Sequence, residues 1–147
     1  MSTENRQYPA RPFAAIGVMV WNGTKFLIVK RAKAPRAGQW GLIGGAIELG
    51  EAHFQAAVRE AKEELGIEID PFAIITAIDG ITKDASGKAE YHYSIVEVNA
   101  RFVSGEFTPS DEISEARWVT AAEFDALHVW DEMRRVVHMA SAQFLTN

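Results

Sequence analysis

Cysteine is missing altogether from the 147 residues. Its absence excludes a disulfide framework, a thiolate zinc site, an iron–sulfur cluster and a cysteine nucleophile. A surplus of positive charge is missing too: 15 Lys and Arg stand against 20 Asp and Glu, for a formal net charge of −5 and a pI near 5.4. Proteins that track a nucleic-acid backbone carry the opposite balance, so a nucleic acid polymer is not the expected partner. A small anionic ligand is compatible with this balance, provided cations gather locally. No apolar run approaches the ~20 residues that span a bilayer; Phe13 to Trp21 is a long one for this chain. The opening MSTENRQYPARP is polar, holds two prolines and lacks the apolar core of a signal peptide. No membrane association and a cytoplasmic location are the expectation.

What is present suits one globular unit. Hydrophobic residues make up 48% of the chain at a mean hydropathy of −0.09, enough for a core in a single domain of ~100–150 residues. Residues 1–11 read as a flexible N-terminal arm and 12–147 as a single domain. Phe13 to Trp21 is β-prone, Asn22-Gly23 is a hairpin signal, and Phe26 to Val29 returns as the partner strand. Lys30 to Arg36 is a loop with four basic residues in seven, followed by a glycine-dense stretch, Gly38 to Gly45.

From Ala52 to Leu65 the period becomes helical, with Gly66 placed to end the helix. Ile67 to Ile69 and Ala73 to Ile81 read as strands parted by Asp70-Pro71, Asp84 to Lys88 as a turn, and Tyr91 to Phe102 as a long returning strand. A short strand, Ala116 to Val119, leads to the capping box Thr120-Ala-Ala-Glu123. Asp131 is placed to cap a last helix whose Met133, Val136, Val137, Ala140 and Phe144 form one stripe. Strands mixed with helices point to an α/β fold with the sheet covered on both faces.

The chemistry gathers in Gly45 to Ile67. On a helical wheel of about 100° per residue, Glu60, Glu63 and Glu64 share an arc of about 100°. Phe54, Val58, Ala61 and Leu65 fall on another face, so one side is expected to pack on the sheet and the other to project carboxylates. Like charges at this spacing oppose one another by about 0.2–0.5 kcal/mol per pair, and a divalent cation would relieve them. Oxygen donors without His or Cys favour magnesium, manganese or calcium over zinc. A Glu-rich helix face is by itself commonly plain solvated surface. Here a glycine-rich turn enters the helix and a basic loop lies just upstream, the parts needed to hold a phosphate chain beside a metal.

Gly45, Glu51, Arg59, Glu60, Glu63, Glu64, Gly66 and Ile67 together resemble the Nudix box. That signature runs Gly, five residues, Glu, seven residues, Arg-Glu, an apolar residue, any residue, Glu-Glu, any residue, Gly and an apolar residue. Ala61 is small where a larger aliphatic is usual, and Ile43 stands where proline is common in the lead-in. The likeness runs from about Pro12 to Met139 and is similar in overall pattern to small ADP-ribose pyrophosphatase-like members of the Nudix hydrolase superfamily.

The resemblance implies an α/β/α sandwich with a mixed β-sheet and the box folded as loop–helix–loop. It implies Glu60, Glu63 and Glu64 as side-chain ligands of Mg²⁺ or Mn²⁺, with the Gly44 carbonyl as a further ligand and Glu51–Arg59 as a helix-aligning ion pair. A plain pairing of Arg59 with Glu63 is the structural alternative. The implied reaction is hydrolysis of a phosphoanhydride in a nucleoside diphosphate linked to a group X, with ADP-ribose or a nucleotide sugar as lead substrate. Alternatives are a nucleoside-triphosphate pyrophosphohydrolase, a GDP-sugar hydrolase and a non-catalytic nucleotide sensor.

The general base is left between Glu60 and the late-loop acids Asp111, Glu112 and Glu115. Arg31 and Arg36 are candidates for countering phosphate charge, with Lys30 and Lys33 beside them. Trp40 and Trp118 are candidates for stacking a base or for core packing, Trp21 and Trp130 for structure. His53 and His92 show no partner in the sequence. The oligomeric state stays open, a homodimer being one option.

Overall fold

The computed structural model describes residues 5–33 and 36–146. Residues 1–4 of the expected arm, Ala34 and Pro35 of the basic loop, and Asn147 lie outside them. The strands are β1 (Phe13–Asn22), β2 (Lys25–Arg31), β3 (Trp40–Gly41), β4 (Ile43–Ala46), β5 (Glu68–Lys83), β6 (Ala89–Ser104) and β7 (Ile113–Val119). The helices are α1 (His53–Leu65), α2 (Ala121–Asp125) and α3 (Asp131–Thr146). No described helix is long and apolar enough to cross a membrane.

One mixed sheet organises the chain in the order β3-β2-β1-β6-β5, with β4 pairing β1 and β7 pairing β2. Alternation decides its two faces, because successive side chains on a strand point to opposite sides. On β1, Ile16, Val18 and Val20 pack with Ala57, Ala61 and Leu65 of α1. The intervening Met19 and Trp21 pack with Val136, Val137 and Ala140 of α3. A helix layer on each face gives the α/β/α sandwich, with the last-helix stripe buried as its spacing predicts.

Several local readings shift in three dimensions. The first hairpin closes on the Asn22–Lys25 pair, so its turn is Gly23-Thr24, with Gly23 at φ 65°. The glycine-dense stretch is not all loop: β3 and β4 are short strands laid against β2 and β1. Ile67 to Ile81 is not parted at Pro71; β5 runs through it, with a register shift between Pro71 and Ala73. A strand at the sheet's edge has one free side, where a missing N–H leaves no ladder bond unmade. In α3, Asp131 lies inside the first turn, and the Trp130 carbonyl accepts from Met133 N and Arg134 N.

Other local signals hold. Glu123 N donates to Thr120 Oγ1 at 3.2 Å and Thr120 N to Glu123 Oε1 at 2.9 Å, the expected capping box. Asp84 Oδ1 accepts from the amides of Ser86 and Lys88 in the β5–β6 turn. Ahead of β1, Tyr8 N donates to the Glu90 carbonyl at 2.7 Å and its hydroxyl to Asp84 at 2.8 Å.

Candidate active site

The site is built where β4 meets α1. Gln55 Oε1 accepts from Ala52 N at 2.8 Å and opens the helix; Gly66, at φ 74°, ends it. Between these points the wheel expectation of an outward carboxylate face holds for Glu63, which is exposed, and is overturned for Glu60 and Glu64. Glu60 and Glu64 are buried, along with Ala56, Ala57, Ala61 and Leu65, whereas Phe54 is exposed. The cause is β4. A Cβ at Gly45 would run into the Glu60 carboxylate, and one at Gly44 would strike the Ile16 carbonyl of β1. Two consecutive glycines thus let α1 dock with Glu60 and Glu64 against the sheet, and Gly44 N donates to Glu64 Oε2 at 3.4 Å.

Arg59 ties the cluster together. It donates twice to Glu51, from Nε at 2.7 Å and from Nη2 at 2.9 Å. Its Nη1 reaches Glu60 at 2.8 Å and Glu63 at 3.1 Å, and Nη2 also donates to the Ala46 carbonyl at 3.0 Å. The Glu51 pairing and the Glu63 pairing therefore coexist. Lys62 turns away to Glu68 at 2.9 Å.

The electrostatics follow from these contacts. Hydrogen bonds from Arg59 hold the Glu51 carboxyl below its ordinary range and Glu51 in turn raises Arg59. Burial pushes Glu60 up against the opposing pull of Arg59. Burial, followed by the charges of Glu60 and Glu112, pushes Glu64 well above the ordinary carboxylate range. The charge of Glu60 is thus one cause that holds Glu64 up, because two buried like charges oppose one another.

Among the described residues no three His, Asp or Glu side chains converge as a ready-made metal site. The donor chemistry nonetheless suits a hard divalent cation: paired buried carboxylates, oxygen donors only, and the main chain of Gly44 beside Glu64.

Two cavities adjoin this cluster and share Arg6, Gly45 and Glu112. One is lined by Glu48, Arg59, Glu60, Glu63 and Glu64. The other, about 340 Å³, takes lining residues from β1 and β6 and is walled by Trp40, Trp130, Tyr91 and Tyr93, with Arg31 and Arg36 also lining it. Its size falls in the range of small-molecule sites. The Arg36 guanidinium stacks over Trp130 at 4.1 Å, and burial lowers its pKa, with the charge of Arg31 adding to the effect.

The structure thus brings Gly44, Arg31, Arg36, Trp40 and Glu112 to one place. Asp111 is exposed, and Glu115 is exposed and pairs with Arg117 at 3.3 Å. Trp118 packs in the core against Phe102, and Trp130, expected to be structural, lines the cavity. His53 is exposed at the start of α1.

Two lining residues escape a reading of the sequence. Arg6 lies before the first strand, with its guanidinium 5.8 Å from the Phe13 ring centre. Glu97 sits in mid-strand, where an acid two residues before Asn99 on an otherwise apolar run was the available signal. Glu97 is 1% exposed, and burial alone pushes its carboxyl from 4.5 to about 7.

An unfolded chain releases that proton near 4.5, while the folded one keeps it to about 7. Stability from this group is complete below the unfolded value and is lost as pH rises through about 7. The difference amounts to ~3 kcal/mol at 1.36 kcal/mol per unit. Urea unfolding at pH 5 and pH 8 should show wild type losing stability relative to Glu97→Gln; parallel losses in the two proteins contradict the assignment.

The arrangement is that of a Nudix domain. A family model described as the NUDIX domain matches residues 11–139, and the chain belongs to that family. It is 32% identical over 118 residues to the NAD-capped RNA hydrolase NudC of Pseudomonas aeruginosa, covering 76% of this chain and 37% of that protein. It is 29% identical over 107 residues to the ADP-ribose pyrophosphatase of Methanocaldococcus jannaschii, covering 73% of this chain and 61% of that one. The chain therefore spans less than two thirds of the length of each of these curated relatives. The crystal structure of a MutT NUDIX hydrolase from Burkholderia pseudomallei superposes with a TM-score of 0.74 at 28% identity, covering 88% of this chain and 98% of the other.

Proposed function

We propose that this chain hydrolyses the phosphoanhydride of a nucleoside diphosphate linked to a further group, with ADP-ribose or a nucleotide sugar as the favoured substrate. The observation that carries this reading is the pair of adjoining cavities, one aromatic with basic residues in its lining and one carboxylate-lined, sharing Arg6, Gly45 and Glu112. A substrate with a flat base at one end and a diphosphate in the middle matches that division. Two relatives, the NAD-capped RNA hydrolase and the ADP-ribose pyrophosphatase, are named for substrates of this kind, and a relative named "Putative 8-oxo-dGTP diphosphatase 3" makes a triphosphate the second reading.

Glu60, Glu63 and Glu64, with the Gly44 main chain, would hold Mg²⁺ or Mn²⁺. When bound, such a cation supplies charge neutralisation on the diphosphate and acidifies water. The residues of the chain do the rest. Trp40 and Trp130 offer faces for the base. Arg31, Arg36 and Arg6 offer cationic groups to the phosphate oxygens and to the charge that builds up during attack. Arg59 fixes the carboxylates so that little reorganisation accompanies the reaction. Of the late-loop acids, Glu112 alone lines both cavities, and the Ala32 amide anchors its carbonyl at 2.9 Å. Its carboxylate is the proposed acceptor of the proton from attacking water.

Assay of purified protein on ADP-ribose, UDP- and GDP-sugars, and modified triphosphates, with Mg²⁺ and then with excess chelator, tests the reading. Release of a nucleoside monophosphate that stops on chelation is expected. Tight nucleotide binding without turnover on any member overturns it in favour of a sensor. Turnover confined to triphosphates moves the substrate class to nucleotide clearance.

A further inference from the structure

On β6, Glu97 and Asn99 share the face turned toward α3, yet only one of them is fully used by the fold. Asn99 accepts from Trp21 Nε1 at 2.7 Å and donates to the Ala140 carbonyl at 3.3 Å and to Gln143 Oε1 at 3.0 Å. Glu97, two residues earlier, has an oxygen, Oε2, that is buried with no hydrogen-bond partner among the described residues. An unpaired buried polar group opposes folding. The fold nevertheless makes room for it. Glu97 pairs with Gly17 across the parallel β1–β6 ladder, and any Cβ at Gly17 would overlap the carboxylate.

Glu97 also lines the aromatic cavity, together with Tyr93, Ile95 and Leu42. Aromatic walls suit the π face of a heteroaromatic ring, and the Glu97 carboxyl then offers an acceptor to the ring's edge. A site built to hydrogen-bond a particular donor rejects the analogue that lacks it, because its own buried group is then left unpaired.

We propose that Glu97 is a specificity-determining residue that accepts a hydrogen bond from an exocyclic amino group of the nucleobase. The substrate class is thereby narrowed to nucleotides whose base carries such a group, in preference to their oxo counterparts. The inference rests on the reading of the chain as a nucleotide-binding enzyme.

Nucleoside monophosphates test it without any turnover. Calorimetric titration of AMP against IMP, and of CMP against UMP, at pH 8, where the Glu97 carboxyl is ionised and accepts only, should show the amino member of each pair binding wild type about tenfold or more tightly. In Glu97→Leu each ratio should fall to near one. Glu97→Gln adds an N–H donor that can serve the oxo member, so its ratios should also fall toward one in a variant of nearly unchanged shape, which guards against a Leu variant that fails to fold. Ratios near one in wild type, no binding of any of the four, or a preference surviving in a folded Glu97→Leu or Glu97→Gln each overturn the assignment. Hydrolysis of the substrate panel without amino selectivity defeats this inference alone. Amino-selective binding without hydrolysis defeats the proposed reaction and leaves the role of Glu97 standing.

Discussion

Replacing Arg59 with alanine should destabilise the folded protein by about 3 kcal/mol, the lower end of what breaking a buried ion pair costs. The guanidinium is 19% exposed, and its partners Glu51 and Glu60 are 14% and 10% exposed. Truncation leaves both carboxylates without their counter-ion and frees the Ala46 carbonyl as well. Glu60 would then respond to burial unopposed and take up a proton at still higher pH. Arg59→Lys should rescue little, since one ammonium cannot reproduce the two-pronged contact with Glu51 while reaching Glu60 and Glu63. Urea midpoints for Arg59→Ala, Glu51→Gln and the double variant measure the coupling. A loss below about 0.5 kcal/mol in Arg59→Ala, the scale of ordinary surface changes, would refute the network as a structural element.

Glu64→Gln should move stability and activity in opposite directions. Gln keeps the shape and retains an oxygen for Gly44 N, so the local contacts survive. It removes a charge that burial, Glu60 and Glu112 all oppose. Without divalent cation at pH 8, the variant should therefore be at least as stable as wild type, by thermal melt or urea. Under the proposed reaction its turnover should fall about 100-fold or more, equivalent to ~2.7 kcal/mol of barrier, and stabilisation by added Mg²⁺ should shrink. Glu63→Gln, at a third-exposed side chain whose one ion pair among the described residues is with Arg59, should leave the melting point closer to wild type. A Glu64→Gln enzyme with undiminished turnover in saturating Mg²⁺ rules out the ligand role.

Signals carried within a few residues are the ones the sequence discloses. The Thr120–Glu123 cap, the Asp84 turn and the stop at Gly66 depend on local backbone chemistry and occur where their residue types place them. The eight matching positions of the box are readable for another reason, their resemblance to a family signature of fixed spacing. Whatever depends on a partner far along the chain is not. Glu60 and Glu64 belong to the polar arc of any wheel, and only the glycines of β4 draw that arc inward. Pro71 resembles a strand break until its strand proves to be an edge. Trp130 and Arg6 reach the cavity from segments remote from the box, and the empty side of Gly17 becomes visible only once β6 lies beside it.

The parallel pairing of β1 with β6 has a consequence for biogenesis. Phe13 lies against Tyr93 and Trp21 against Arg101, so the central ladder joins stretches some eighty positions apart. During synthesis the first hairpin can form as soon as it leaves the ribosome. Its flank, where Gly17 and Ile16 await β6, stays uncovered until most of the polypeptide has emerged. Distant pairings of this kind slow folding, and an uncovered strand flank invites other chains. The interval before β6 arrives is therefore when a nascent molecule has most need of a chaperone.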